Sequence, residues 1–288
     1  MAYGTPATAD DIQAYYTHVR RGRPPTPELL EDLRRRYEAI GGTSPLLERT
    51  REQAACIQSA LGDGFRVELG MKHAPPFIED GVAALAEAEI RFAVGLVLAP
   101  HYSALSVGEY AARAEAAGAA AGISLTVVRC WHLAPGYLDL LAGFVRDEVA
   151  RLEADPVEVV FTAHSLPTRI LDMGDPYPDQ LAETADAVAA RADLESWSVA
   201  WQSAGRTPEP WIGPDLLTVL PGLADAGMAG VVVCPAGFVS DHLEVLYDLD
   251  VEARAAAERL GVAFARTPSP NADPRFCATV ADVVRNHA

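Results

Sequence analysis

The 288-residue chain has little that would place it in a membrane or mark it for export. No apolar run approaches the roughly 20 residues that a transmembrane helix needs. No charged segment followed by an apolar stretch and a small-residue cleavage site is visible, so no secretory signal is recognised. These absences predict a cytoplasmic protein without an integral membrane segment.

Cysteine is also scarce, and its spacing excludes two common uses. Cys56, Cys130, Cys234 and Cys277 lie far apart and form no CxxC pair. A zinc ribbon or a redox dithiol is therefore not indicated. Reduced thiols, the ordinary state of cysteine in a cytosol, are the simplest expectation.

Several motifs that would indicate other activities are missing. No GxGxxG follows a predicted strand and no GxxxxGK[ST] occurs, so nucleotide binding has no support. The chain also lacks GxSxG and HExxH, and Ser165 has no ordered Asp and His partners that would make it a nucleophile. The net charge of −17, from 40 acidic and 23 basic residues, argues against a general nucleic-acid binder.

The pattern that is present predicts an α/β fold. Half of the residues are apolar and 22% are charged, an ordinary globular composition. Apolar, β-branched runs alternate with alanine-rich amphipathic segments, the order expected of a mostly parallel sheet covered on both faces. The predicted strands are 66–71, 92–100, 124–129, 157–163, 197–202, 230–235 and 262–267.

A weak internal repeat divides the chain into two halves. Each half contains a proline-aromatic-isoleucine segment that opens a helix, followed by a strand that ends in proline. We therefore predict two similar doubly wound Rossmann-like lobes, 1–150 and 151–288, with a ligand in the cleft between them. One large α/β domain is the alternative that the length allows. MAYGTP looks like a strand end with no apolar run before it, which leaves Tyr3 weakly held in this interpretation.

Six arginines crowd into a short stretch of this acidic protein. They are Arg20, Arg21, Arg23, Arg34, Arg35 and Arg36. A local cationic cluster favours binding of a discrete anion, while two solvated helix ends would explain the spacing equally well.

Two stretches carry groups suited to proton and metal chemistry. FTAHSLP ends an apolar strand on His164, at the rim where α/β proteins keep their chemistry. A helix is predicted over 242–261, with Ser240 or Asp241 as its cap. Four carboxylates recur at spacings of 3, 4 and 4 from this cap onward: Asp241, Glu244, Asp248 and Glu252. Such a carboxylate stripe can conduct divalent cations, although an exposed acidic helix face has the same pattern.

His164 and Glu244 are the predicted centre of the site. If the halves are equivalent, both follow successive strands of the second lobe and face the same crevice. A neutral imidazole beside a carboxylate can accept protons and hold a metal transiently. A lone histidine at a strand end is more often a structural hydrogen bonder, and its pairing with Glu244 favours the functional interpretation.

Four long segments resemble the ferrochelatase family in order and spacing. They are FTAHSLP, GDPYPDQL (174–181), WQSAGRTPEPWIGPD (201–215) and GFVSDHLEVLYDLD (237–250), and the match extends over essentially the whole chain. The resemblance implies a lyase-type chelatase that inserts Fe²⁺ into a porphyrin between two Rossmann-like lobes. His164 and Glu244 would be the catalytic, metal-facing pair, and Asp248 and Glu252 an outer metal-supply stripe.

The N-terminal motifs narrow the resemblance. MAYGTP and the segment 15–46 resemble the Gram-positive branch of the family, whose members metallate coproporphyrin III in haem biosynthesis. In that branch a tyrosine approaches the metal from the face opposite the histidine, and Tyr3 takes this position here. Lys72-His73 matches a motif of the family as well. The resemblance implies porphyrin contacts at Tyr3, Arg20, Arg36, Tyr37, Ser44 and Tyr110.

The same resemblance sets the expected ligands and partners. Coproporphyrin III and Fe²⁺ are the expected substrates, with an iron donor or a downstream enzyme of the haem pathway as a further partner and a monomeric state. Some relatives bind a [2Fe–2S] cluster through four cysteines, but no closely spaced cysteines follow Cys277, so we predict no cluster and no permanently bound cofactor. The alternatives are a protoporphyrin IX ferrochelatase, a related cobalt or nickel tetrapyrrole chelatase, and a non-catalytic tetrapyrrole carrier.

Overall fold

The computed structural model describes residues 1–288 and shows two parallel sheets covered by helices, which confirms the predicted α/β class. The smaller sheet pairs two strands, and the larger has the order β4-β3-β5-β6. The strands are β1 Phe92–Leu96, β2 Ser124–Val128, β3 Val157–His164, β4 Trp197–Gln202, β5 Gly230–Cys234 and β6 Ala263–Arg266. Because parallel neighbours cannot be joined by tight hairpins, crossover connections carry the chain back over the sheet.

Twelve α-helices, a 3₁₀ turn at Ala9–Asp11 and a π-helix at Asp248–Ala253 complete the fold. The α-helices are α1 Ile12–Val19, α2 Pro27–Ala39, α3 Leu46–Leu61, α4 Ile78–Glu87, α5 Val107–Ala121, α6 Pro135–Leu152, α7 Arg169–Asp172, α8 Tyr177–Ala192, α9 Leu216–Asp225, α10 Leu243–Leu246, α11 Arg254–Leu260 and α12 Pro274–Arg285. None of them combines the length and the hydropathy needed to cross a bilayer.

The larger sheet reverses its winding direction between β3 and β5. The chain passes from β3 to its neighbour β4 and then crosses back to β5 on the other side of β3. At such a switch point the connections that leave the two carboxyl ends diverge and open a crevice. β5 is buried along its whole length, so the crevice rests on a rigid floor.

Helix α6 belongs by its packing to the larger sheet. Although it extends across the predicted boundary at residue 150, it packs against β5, β6, α8 and α12. The largest apolar core follows from this arrangement and includes residues of α6, β3, α8 and α12. The four central residues Tyr137, Leu141, Phe161 and Phe276 are at most 1% exposed.

The predicted strand 66–71 does not form. Only Met71 makes bridges, to Ala2 and to Phe77, because the chain turns back at once and the Met71 amide donates to the carbonyl of Pro76 at 2.7 Å. Gly70 lies so close to Ile78 that a Cβ there would meet the Ile78 Cα at 2.7 Å. Because the chain reverses so soon after residue 70, residues 66–71 form no regular strand.

The first three residues are firmly bound, which corrects the expectation that Tyr3 is weakly held. The Leu98 amide donates to the carbonyl of Met1 at 2.8 Å on one side. On the other side the amides of Lys72 and His73 donate to the carbonyls of Ala2 and Tyr3, each at 2.9 Å. Residues 1–3 therefore lie between the end of β1 and the segment 70–73.

The predicted helix 242–261 is divided into α10, the π-helix and α11, and its cap is neither Ser240 nor Asp241. The Nδ1 atom of His242 accepts from the Glu244 amide at 3.1 Å and caps α10. The Asp241 carboxylate instead accepts from Ser269 and Asn271 at 2.9 and 2.8 Å. Asp241 is thus removed from the acidic stripe by partners in a distant loop.

The expectation of four reduced cysteines is wrong for two of them. Cys56 on α3 and Cys277 on α12 form a disulfide across a sequence separation of 221 residues. Cys130 and Cys234 are free. The bond joins the first half of the chain to its last helix.

Candidate active site

A cleft of about 1130 Å³ contains the whole predicted site. Its walls come from both halves of the chain, and all ten residues predicted from the sequence line it. These are Tyr3, Arg20, Arg36, Tyr37, Ser44, Tyr110, His164, Glu244, Asp248 and Glu252. The folding of the chain therefore assembles residues that lie as far apart in sequence as Tyr3 and Glu252.

His164 and Glu244 meet on the wall of this cleft. The His164 Nε2 atom lies 3.5 Å from Oε1 of Glu244. His164 ends β3 and pairs in register with Gln202 at the end of β4, and the Gln202 side-chain amide donates to the Glu244 carbonyl at 3.0 Å. The buried Gln202 side chain thereby ties α10 to the end of the sheet.

The contacts of His164 determine which ring nitrogen faces the cleft. Its Nδ1 atom contacts the carbonyl of Ser165, and since a carbonyl can only accept, Nδ1 carries the hydrogen. The Tyr177 hydroxyl donates to the His164 carbonyl at 3.0 Å and fixes the backbone of the same residue. Nε2 is left to exchange protons with Glu244 or with a ligand in the cleft.

The pair is charged at neutral pH. Desolvation opposes the charge on His164, but the Glu244 carboxylate, its hydrogen bond and the Ser165 carbonyl outweigh it and raise the pKa of His164 to about 9. Desolvation likewise opposes the charge on Glu244, yet His164, with smaller help from His242 and Arg36, lowers its pKa to about 2. The two side chains remain 32% and 37% exposed, so a ligand can reach them from the cleft.

The π-helix aligns the outer carboxylates with Glu244. An α-helix has 3.6 residues per turn, so a spacing of four overshoots one turn. A π-helix has more residues per turn, so four residues fall short of one. From Glu244 to Asp248 the rotation about the helix axis slightly exceeds one turn, and from Asp248 to Glu252 it falls slightly short of one. The two deviations compensate each other, and all three carboxylates line the cleft.

Asp248 is poised between its two protonation states. Its side chain is nearly buried; Ser203 donates to Oδ2 at 2.5 Å, and Arg36 Nη1 lies 3.6 Å from Oδ1. Burial, followed by the charge of Glu244, raises the pKa of Asp248 to about 7 against the opposing effects of Ser203 and Arg36. Ser203 was not predicted from the sequence to belong to the site. Its position directly after β4, at the carboxyl end of a strand, was the one feature of the sequence that could have indicated it.

The wall contributed by the first half of the chain is rich in tyrosine. The Tyr3 ring lies 4.6 Å from that of His73, and the Lys72 ammonium lies 5.1 Å from the Tyr110 ring centre. Desolvation and the charge of Glu244 raise the pKa of Tyr3 well above its usual value, so the phenol keeps its proton. Gly4 permits this placement because it has φ +96° and a Cβ there would lie 2.8 Å from the Ala74 amide nitrogen.

Tyr37 and Ser44 lie deeper at one end of the cleft. Tyr37 is 2% exposed, its hydroxyl is 3.4 Å from Thr5 Oγ1, and burial raises its pKa to about 12. Ser44 Oγ accepts from the Leu46 amide at 3.3 Å, at the start of α3. Both can offer hydroxyl groups to a ligand without carrying charge.

The arginine cluster is only partly a binding surface. Arg20, Arg21, Arg23 and Arg36 line the cleft, whereas Arg34 and Arg35 do not. Arg36 is shared between Asp32, at 3.5 Å, and Asp248, while Arg20 has no carboxylate partner. Arg169 and Arg206 from the second half of the chain also line the cleft, although no local pattern groups them with the other arginines.

The site contains no ready-made metal centre. No group of three or more His, Cys, Asp and Glu side chains is arranged to hold a metal ion. The His164–Glu244 pair provides one nitrogen and one oxygen ligand and leaves the remaining coordination positions open. Such a pair suits a metal ion in transit better than a resident one.

Fold and site together define a two-lobed α/β protein with a His–Glu pair in the cleft between its lobes. Two solved structures share the fold. SirB from Bacillus subtilis with Fe³⁺ matches with a TM-score of 0.57 and 13% identity, covering 83% of this chain and 89% of that one. CbiX, described as the terminal enzyme of sirohaem biosynthesis in denitrifying bacteria, matches with a TM-score of 0.57 and 14% identity, over 85% and 94% of the two chains.

The chain belongs to the ferrochelatase family, whose model matches residues 1–288. A coproporphyrin III ferrochelatase of Anoxybacillus flavithermus is 47% identical, covering 100% of this chain and 94% of the relative. The protein of the same name from Bacillus subtilis is 44% identical over 99% of this chain and 95% of its own. A third relative so named, from Halalkalibacterium halodurans, is 45% identical over 99% and 94% of the two chains.

Proposed function

We propose that this chain is a coproporphyrin III ferrochelatase, a lyase that inserts Fe²⁺ into coproporphyrin III in haem biosynthesis. The observation that carries the proposal is the His164–Glu244 ion pair on the wall of a cleft of about 1130 Å³. Relatives at 44–47% identity over the full chain carry this name, which supports the choice of substrate.

The reaction exchanges one Fe²⁺ for two pyrrole N–H protons. In the resting protein His164 holds a proton and Glu244 does not, so His164 must lose that proton before it can accept another. An approaching divalent cation lowers the pKa of His164, because like charges disfavour the imidazolium. Asp248, whose pKa is about 7, is the nearby group able to take the released proton. His164 Nε2 then accepts one pyrrole proton, passes it by way of Asp248 to solvent, and accepts the second pyrrole proton in the same way, so that both protons leave the site.

Binding energy from the rest of the macrocycle drives the insertion. A flat porphyrin turns its nitrogen lone pairs inward and away from an incoming ion, so distortion of the ring lowers the barrier. Contacts with the peripheral carboxylates, remote from the metal, supply the free energy for that distortion. On the family resemblance, Tyr3 would lie on the face of the macrocycle opposite His164, where its neutral phenol would be a weak ligand for the metal.

Four propionates distinguish coproporphyrin III from protoporphyrin IX, which has two. A guanidinium group binds a carboxylate through two parallel hydrogen bonds. Arg20 is suited to this because, like Arg23, it lines the cleft without an ion pair to a carboxylate of the protein, and the family resemblance points to Arg20. Tyr37, Ser44 and Tyr110 are proposed to donate hydrogen bonds to other propionates.

The central test is anaerobic metallation by wild-type protein and by Glu244→Gln, followed by the Soret shift. We expect wild type to convert coproporphyrin III with Fe²⁺ faster than protoporphyrin IX, and Glu244→Gln to bind the porphyrin without turnover. Unchanged turnover in this variant would remove Glu244 from the mechanism. A Soret shift on binding with no metalloporphyrin would indicate a carrier, and turnover with Co²⁺ or Ni²⁺ alone would indicate another chelatase.

The arginine assignment is tested by Arg20→Ala against Arg34→Ala as a matched control. Arg34 lies in the same arginine-rich stretch but outside the cleft. We expect Arg20→Ala to raise the KM for coproporphyrin about tenfold, the value of one charge-assisted hydrogen bond, and to change that for protoporphyrin less. Equal changes for the two porphyrins, or equal effects of the two variants, would contradict the assignment.

The remaining expectations about ligands and location stay predictions. Two of the four cysteines are bonded to each other, which supports the absence of a four-cysteine [2Fe–2S] cluster. A cytoplasmic location, a monomeric state and a handover partner, such as an iron donor or a downstream haem enzyme, remain proposals.

A further inference from the structure

Beside the cleft lies a second cavity of about 1080 Å³ that the proposed reaction does not use. We call this open hollow the side chamber. Apart from Ala14 and Ala112, its lining residues are polar, charged or glycine, and they include Asp10, Gln13, His18, Arg21, His73 and Glu109. Arg21, Lys72, His73 and Glu109 line both the side chamber and the cleft, so these residues form the partition between them.

Two histidines contact each other on the wall of the side chamber. His18, on α1, and His73, after Met71, place their Nδ1 atoms 3.0 Å apart. Two metal–nitrogen bonds of about 2.1 Å meeting at a right angle span about 3.0 Å between the nitrogens. In the absence of a metal one Nδ1–H donates to the other Nδ1. The same spacing suits two neighbouring ligands on one ion, if the donor ring moves its hydrogen to Nε2 and both rings turn so that their lone pairs point at the ion.

The surroundings leave room for an ion, and ion pairs with carboxylates partly offset the positive charge nearby. The three cationic side chains nearby are paired: Lys72 and Arg21 with Glu109, at 2.5 and 2.9 Å, and Arg113 with Glu79 at 2.7 Å. The volume of the side chamber admits the water molecules that would complete the coordination. Imidazole nitrogens select borderline transition-metal ions over Mg²⁺ and Ca²⁺.

We propose that His18 and His73 form a second divalent transition-metal site, separate from the His164–Glu244 pair. Its ligands are the two Nδ1 atoms and water. His73 stacks at 4.6 Å from Tyr3, so the site lies next to the cleft wall formed by the first half of the chain. Resting on the proposed function, the site is a waiting position from which the metal substrate enters the cleft on the Tyr3 side.

The test measures binding of Co²⁺ without porphyrin, so it does not depend on activity. The background is His164→Ala combined with Glu244→Gln, which removes the ligands of the cleft. We expect this protein to keep one Co²⁺ site whose visible absorption bands show nitrogen ligation. Adding His18→Gln should weaken binding about 100-fold, because a chelating pair becomes a single ligand. His287→Gln, at an exposed histidine near the end of the chain, is the matched control and should change nothing.

His73→Gln is the second variant and should match His18→Gln, with no further loss when both are combined, because the two residues act as one site. Absence of Co²⁺ binding in the background, or equal binding after His18→Gln and His73→Gln, would overturn the proposal. Co²⁺ bound by the histidine pair in a protein that fails to metallate porphyrin would leave the site standing and refute the ferrochelatase function instead.

Discussion

At the scale of single residues, the sequence predicts those groups whose position follows from a strand end. His164 could be placed at the cleft because an apolar run stops on it, and the structure puts it 3.5 Å from Glu244. Asp241 could not be separated from the acidic stripe, because its partners Ser269 and Asn271 follow it by about 30 residues. A spacing of three or four identifies a shared helix face only if the helix has already begun.

The charge state of His164 predicts a pH dependence of metal binding. A metal ion competes with the proton on Nε2, so the affinity for Zn²⁺ should rise with pH until His164 is deprotonated, at a pH of about 9. In Glu244→Gln the main cause of the raised pKa is gone, so the rise should end closer to the usual histidine value of 6.5. Calorimetric titration from pH 6 to 10 measures both curves.

The same pair gives the sign of a stability effect. The pKa of His164 is higher, and that of Glu244 lower, in the folded protein than in the unfolded chain. The ion pair therefore stabilises the fold fully between about pH 4.5 and 6.5 and loses this effect as the pH rises through about 9. The destabilisation caused by Glu244→Gln should therefore shrink as the pH rises from 6.5 through about 9. A difference in Tm that does not change with pH would mean that the pair is uncharged.

At the scale of elements, apolar, β-branched runs predicted seven strands; six of them form, and only the run 66–71 does not. That run satisfies the strand pattern, but the contact of Gly70 with Ile78 and the immediate turn at 71–77 depend on the three-dimensional packing. The π-helix could not be predicted either, because the same amphipathic sequence pattern is compatible with an α-helix and with a π-helix. Its consequence for the alignment of Asp248 and Glu252 emerges only from the hydrogen-bond spacing.

One glycine controls how the loop after β5 approaches β3. A Cβ at Gly237 would lie 2.5 Å from the Cβ of Ala163, the residue before His164. Gly237→Ala should therefore push the loop that leads to Glu244 away from His164, cost about 1–3 kcal/mol of unfolding free energy, and lower kcat. Denaturant unfolding and metallation rates measure the two effects.

Gly143→Ala is the matched control for that substitution. Gly143 lies within α6, and a Cβ there meets nothing within 4 Å. Alanine in a helix interior is favoured over glycine by up to about 1 kcal/mol, so this variant should be as stable as wild type or more so, with unchanged activity. If Gly237→Ala behaved like Gly143→Ala, the close approach would not control the distance between His164 and Glu244.

At the scale of the whole molecule, the sequence predicted two lobes with a shared cleft but not how they are held together. α3, from the first half, packs against α12 at the end of the chain. On α3, Gln53 donates to the carbonyls of Val239 and Asn271 at 2.9 and 3.0 Å. These long-range contacts fix the loop that precedes Glu244, and no local pattern reveals them.

The disulfide between Cys56 and Cys277 reinforces the same junction, one helical turn beyond Gln53. Closing a long loop restricts the unfolded chain, so reduction should lower the unfolding free energy by about 2–4 kcal/mol. Thiol titration in denaturant should count two free thiols, Cys130 and Cys234, before reduction and four after it. Cys56→Ser should be insensitive to reductant, while Cys130→Ser keeps the full response. Four thiols without reductant would show that the two cysteines lie together unbonded, and α3 would then depend on packing and Gln53 alone.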